Sequence, residues 1–175
     1  MPKKIISIFG TSKAMPDSAA YKMACELGKG LAQAGFTIAN GGYGGTMQAA
    51  AQAAAKAGGE VIGVTCAAFK RSGANEYVTR EISTSSLQER LNKLVELGAG
   101  YIVLPGGTGT LLELAAVWEL KNKGFLDGGK PIILMGDFWR PLIKLIAVED
   151  AQSVGCIELA ATPAEAVAIL ARRIE

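Results

Sequence analysis

The feature that most restricts the fold is a rhythm. Strand-length runs of apolar, often β-branched residues alternate with longer stretches of helical spacing, and Gly, Pro, Asn or Ser separate them. The runs Ile5 to Phe9, Phe36 to Ala39, Val61 to Thr65, Tyr101 to Leu104, Ile132 to Met135 and Ile157 to Ala160 read as strands. Each is apolar along its length, so both faces of the sheet must be covered, and helical crossovers between successive strands make the pairing parallel. The expectation is a doubly wound α/β fold with helices on both faces of a parallel sheet. The first helix is expected from about Ser18 to Gln33, with Asp17 placed to cap it. The last opens with Thr162-Pro163-Ala164-Glu165, a capping box with Pro at the first helical position. Between Ala67 and Ser85 the stretch "AAFKRSGANEYVTREISTS" breaks the rhythm and reads as a polar surface excursion with a short strand near Tyr77 to Ile82. The sheet is thus expected to have six to seven strands.

The chain of 175 residues fits one domain, residues 1–175, able to bury a core without metals or disulfides. Half of the residues are hydrophobic and 19% are charged, with 18 Lys+Arg against 16 Asp+Glu, a balance that argues against disorder and against a nucleic-acid surface. No apolar run approaches a membrane span or a signal-peptide core, so neither membrane association nor export is expected. Cys25, Cys66 and Cys156 lie far apart in apolar segments, which reads as reduced thiols in a cytoplasmic protein. The sequence contains no histidine, which removes His-based metal sites and imidazole as a general base. Any chemistry falls to carboxylates, Arg, Lys, hydroxyls or the backbone.

Ligands of open parallel sheets bind beyond the carboxyl ends of strands, where the strand order reverses. With an order beginning 3-2-1-4, three small-residue loops converge there: Gly10-Thr11-Ser12, Asn40-Gly41-Gly42-Tyr43-Gly44-Gly45-Thr46 and Pro105-Gly106-Gly107-Thr108-Gly109-Thr110. Glycines let a ligand approach the backbone, and helix N-termini favour a phosphate. Glycine and Ser/Thr also serve ordinary turns and caps, so one such loop alone says little. Neither a Walker A loop nor the dinucleotide G-x-G-x-x-G after the first strand is present. Glu113 has two readings. It is a carboxylate at the crevice, or the last member of a capping box, Thr110-Leu111-Leu112-Glu113. Ser86-Leu87-Gln88-Glu89 is a second box, which puts Arg90 in the first turns of the preceding helix; an isolated Arg there reads as a solvated surface charge.

Pro105 to Glu113 fits the PGGxGTxxE motif of the LONELY GUY (LOG) family, many of whose members carry an old lysine decarboxylase label. Arg90 stands where that family has the arginine of M-x-x-R-K. "FGTS" with Pro16 and Tyr21, and "NGGYGGTMQAAAQAAAKAGGEVIGV", are similar to two further family segments. The resemblance covers residues 5 to about 145. It implies a Rossmann-like homo-oligomer that binds a purine nucleoside 5'-monophosphate and hydrolyses its N-glycosidic bond, without a cofactor. By the motif Arg90 and Glu113 are the catalytic pair and Gly106, Gly107, Gly109 and Thr110 the phosphate cradle. Leu87, Leu91, Leu112 and Gln48 depart from the family's Met, Lys, second Glu and Gly, which leaves the site less charged. Molybdenum cofactor carriers share this fold and bind a phosphate-bearing pterin without cleaving it, so a carrier stands as the alternative. Decarboxylation through pyridoxal needs a Schiff-base lysine, and Lys13, the only lysine bordering the three loops, has nothing to mark it as one.

The helix from about Thr110 to Lys121 is apolar around nearly its whole circumference, whereas a helix covering one sheet face needs a single stripe. A homodimer or a dimer-based tetramer is therefore expected, with Val117 at an outward position of its interface.

Overall fold

The computed structural model describes residues 3–69, 73–126 and 129–174. Within them β1 (Ile5–Phe9), α1 (Ala19–Gln33), β2 (Thr37–Asn40), α2 (Thr46–Lys56), β3 (Val61–Cys66) and β4 (Arg80–Thr84) form one half. The other half is α3 (Leu87–Leu97), β5 (Gly100–Val103), α4 (Thr108–Asn122), β6 (Ile132–Met135), α5 (Arg140–Glu149), β7 (Glu158–Ala160) and α6 (Pro163–Arg173). All seven strands pair in parallel in the order β4-β3-β2-β1-β5-β6-β7. The order reverses between β1 and β5, at the place expected from the sequence.

The expected strands are all present, with ends displaced by a residue or so. The seventh, β4, lies at Arg80–Thr84, three residues beyond the start of the stretch expected from the sequence. It is an edge strand that presents Arg80, Glu81 and Ser83 to solvent, so it lacks the apolar run that marks its neighbours. Residues 70–72 of the polar excursion lie outside the described residues.

Two cores sit on the two faces of the sheet. One joins Ile6, Ile8, Ile38 and Ile102 to α1, α2 and α6 through Leu27, Leu31, Ala50 and Leu170. The helices α1 and α2 lie close enough that a methyl group on Gly28 would stand 2.8 Å from Ala50 Cα. The other core joins Phe9, Tyr101, Val103 and Leu134 to Leu94 of α3 and to Leu114, Val117 and Trp118 of α4. Val117 is fully buried against the sheet, which corrects the outward position expected for it. The large exposed apolar residues of α4 are instead Leu111 and Leu112.

The caps decide two further points. Ser18, not Asp17, caps α1, accepting from Tyr21 N–H at 3.3 Å. Ser86 and Thr162 cap α3 and α6 by accepting from Glu89 and Glu165 N–H, as their boxes foretell. The box at Thr110 does not form. Helix α4 starts two residues earlier, with Gly107 as its N-cap and Thr110 inside its first turn, so Glu113 has no capping role.

Candidate functional site

The loops after β1, β2 and β5 meet above the switch point and enclose a crevice of about 410 Å3. Gly10, Thr11, Ser12, Gly41, Gly107, Thr108, Gly109, Thr110, Arg90 and Glu113 all line it. Gly42, Gly44, Gly45, Thr46, Pro105 and Gly106 do not line it; they lie in the same loops. Thr46 explains how the second loop is fixed: its N–H and its hydroxyl both donate to the Thr11 carbonyl, at 2.9 and 3.0 Å. The first amide of α2 is thereby occupied by protein, and Gly45, at φ +63°, carries the turn into it. Gly106 packs against Thr110.

Gly107 and Gly109 differ from these packing glycines. A methyl group at either position would meet no protein atom within 4 Å. They sit at the N-terminus of α4, where the first amides lack intrahelical carbonyl partners and the helix dipole is positive. This is the arrangement that accepts a phosphate.

Arg90 and Glu113 stand at the floor. Arg90 lies on α3, four residues after the Ser86 cap, and faces the sheet with Leu91 and Leu94. It is only 8% exposed, contrary to the solvated reading. Its Nε donates to the Val64 carbonyl at 2.8 Å, and its Nη1 lies 3.4 Å from Glu113 Oε1. Its guanidinium carbon is 5.8 Å from the Tyr43 ring centre and 5.7 Å from that of Phe69, within cation–π range. Tyr43 is anchored in turn, since its hydroxyl accepts from Cys66 N–H at 2.8 Å and donates to the Cys66 carbonyl at 3.3 Å. Glu113 shares the inner face of α4 with Thr110, Leu114 and Val117. Burial pushes its carboxyl up to about 7, and the adjacent Arg90 holds it from rising further. A carboxyl so placed exchanges its proton near neutral pH, a property found at functional sites.

Beside this pair the crevice has an apolar wall. Met47, Phe69, Leu87, Leu91 and Leu112 line it, with Phe69, Leu87 and Leu112 partly exposed at 38%, 46% and 41%. Sequence reasoning picked out Leu87, Leu91 and Leu112 only as departures from a motif. Phe69 and Asn75 lie in the polar excursion, where no pattern marks them. Asn75 holds the second loop: its side-chain amide donates to the Gly42 and Tyr43 carbonyls at 3.0 and 2.9 Å.

A family model described as "possible lysine decarboxylase" matches residues 47–170. The cytokinin riboside 5'-monophosphate phosphoribohydrolase of Mycobacterium tuberculosis is 34% identical over 120 residues, covering 67% of this chain and 63% of that protein. The chain belongs to this LONELY GUY (LOG) family. It spans just under two thirds of the length of that LOG-family relative. Two solved structures align over nearly all of it. The molybdenum cofactor binding protein from Rippkaea orientalis has a TM-score of 0.82 and 29% identity, covering 100% of this chain and 99% of that one. The molybdenum cofactor carrier protein from Chlamydomonas reinhardtii has a TM-score of 0.78 and 28% identity, covering 99% of both chains. As for the decarboxylase label of the LOG family, the lysine on the crevice, Lys13, is exposed.

Proposed function

We propose that this protein hydrolyses the N-glycosidic bond of a purine riboside 5'-monophosphate, cytokinin-type or adenosine, to the free base and ribose 5-phosphate. The observation that carries this reading is the buried Arg90–Glu113 pair facing an anion-accepting helix N-terminus across one crevice. The phosphate is held by the amides and hydroxyls of Gly107 to Thr110 together with Gly10 to Ser12. The ribose then lies over Glu113, and the base against Phe69, Leu87 and Leu112. As the C1'–N bond breaks, its electron pair leaves with the base, which takes up a proton, and water supplies the hydroxyl at C1'. The sugar becomes cationic on the way, and an ionised carboxylate beneath it favours that state over the neutral substrate. Arg90 favours the ionised form of Glu113 against its burial and orients it. No step calls for a metal or a cofactor; among the described residues no His, Cys, Asp and Glu cluster is grouped to hold a metal.

The same reading includes a homodimer or dimer-based tetramer in the cytoplasm. No residue of α5 is buried, although it carries Leu142, Ile143, Leu145, Ile146 and Val148; Leu145 is 67% exposed and Val148 77%. Between α4 and α5 runs a groove of about 240 Å3 that includes Leu111, Leu142 and Ile146. A second copy across a two-fold axis covers such a face. All three cysteines are free thiols, as suits a reducing compartment. No helix among the described residues is long and apolar enough to cross a membrane.

A second reading, a carrier for a phosphate-bearing ligand such as molybdenum cofactor, is favoured by the end-to-end alignment with the two molybdenum cofactor proteins. The two readings part on turnover. Incubating the protein with a panel of nucleoside 5'-monophosphates, and with the matching nucleosides, and following free base by chromatography tests this. The hydrolase reading expects base from the monophosphates and far less from the nucleosides. Binding without release of base supports the carrier.

A further inference from the structure

We infer that Gly41 acts in the reaction through Arg90, as the seat of its guanidinium, and is a positioning residue. The inference rests on the hydrolase reading for its kinetic part. Gly41 is buried at the end of β2, and its φ lies outside the left-handed region, so its backbone conformation does not call for glycine. Space does. A methyl group there would overlap Arg90 Nη2 and stand 2.7 Å from Met47 Sδ and 3.0 Å from Arg90 Cζ. The Nη2 end of the guanidinium thus points at the place a Gly41 side chain would occupy, with Val64 O at Nε, Glu113 at Nη1 and the Tyr43 and Phe69 rings beside it.

An added methyl group therefore displaces Nη2, and with it the planar group whose Nη1 meets Glu113. The phosphate-facing glycines, Gly107 and Gly109, are built otherwise, with no protein atom within 4 Å of an added side chain. Gly41 therefore belongs with the ion pair in its effect, although it shares a loop with glycines that shape the turn.

Two measurements test this. In a double-mutant cycle on hydrolysis of a nucleoside 5'-monophosphate, Gly41→Ala is expected to lower kcat about 100-fold, the scale of a misplacement of about 1 Å, with substrate affinity within about threefold. Lysine has no Nη2, so in an Arg90→Lys background the same change is expected to cost less than about threefold. An equal loss in both backgrounds overturns the inference, because Gly41 would then act independently of Arg90. The second measurement needs no turnover. The Nε–H resonance of Arg90, identified in the ligand-free protein by its loss in Arg90→Lys, is expected to shift and to exchange faster with water in Gly41→Ala. An unchanged resonance overturns the inference, whereas a wild-type protein that releases no base counts against the hydrolase reading alone.

Discussion

Glu113 and Arg90 come from different helices and meet at 3.4 Å in a place that water barely reaches. For the carboxyl, burial outweighs the attraction of the arginine, and the balance puts its proton exchange at about 7. In the proposed hydrolysis the ionised form is the active one, so kcat/KM is expected to fall as pH drops through about 7 and to level off above it. Replacing Arg90 by alanine removes the influence that lowers this pKa, so the acid limb moves to higher pH; an acid limb that stays in place contradicts the coupling. Glu113→Gln is expected to reduce kcat by about 100-fold or more while leaving nucleotide affinity within about tenfold, as stopped assays and calorimetry will show. The same carboxyl affects folding. Its folded pKa lies above that of an exposed glutamate, so the native state holds the proton that the unfolded chain releases, and stability falls as pH rises from about 4.5 toward about 7. Denaturant titrations across that range are expected to show this loss in the wild type and a reduced loss in Glu113→Gln. Gly107→Val is expected to abolish phosphate binding with little change in melting temperature, since Gly107 lines the crevice and a Cβ there meets no protein atom within 4 Å.

Helices and strands carry these residues to their places, and their sequence signals differ in kind. The apolar runs of β1, β2, β3, β5 and β6 were legible because a strand buried on both faces has no polar alternation to obscure it. The edge strand β4 was half legible, because solvent on its outer side permits Arg80, Glu81 and Ser83. The caps of α3 and α6 were read correctly from Ser86 and Thr162. The box at Thr110 was not, because a chain of Gly-Thr-Gly-Thr offers several helix starts and the structure uses Gly107. Arg90 depends on the α3 cap for its position. Ser86→Ala is expected to cost about 1 kcal/mol of stability, readable in denaturant unfolding; no loss would show that packing of Leu91 and Leu94 alone fixes the helix. Val117 illustrates the limit of composition. An all-apolar helix does not reveal which residues face the sheet, and the structure turns Val117 inward and Leu111 and Leu112 outward.

Over the whole molecule, the switch point between β1 and β5 follows from strand order; the rhythm of the sequence implied only a doubly wound parallel sheet, and the 3-2-1-4 start supposed for it is the one found. The motif residues that meet there were legible; the aromatic surroundings of Arg90 were not, because Tyr43 and Phe69 come together only through folding. The two faces of the sheet are finished differently, with α5 left uncovered on one of them. Leu145→Lys together with Ile146→Asp is expected to convert dimers to monomers in light scattering at micromolar concentration, and a wild-type monomer mass contradicts the proposed assembly. In the proposed function the Arg90–Glu113 pair cleaves a nucleotide that the glycine crevice binds. The most direct measurement is the amount of free adenine and of ribose 5-phosphate formed from AMP or its N6-substituted analogues by the wild type and by Glu113→Gln under the same conditions. Equal molar amounts of both products are expected from the wild type and almost none from the variant, with nucleotide still bound. Recovery of intact nucleotide from a wild-type protein that binds it, or equal turnover by the variant, would contradict the proposed function.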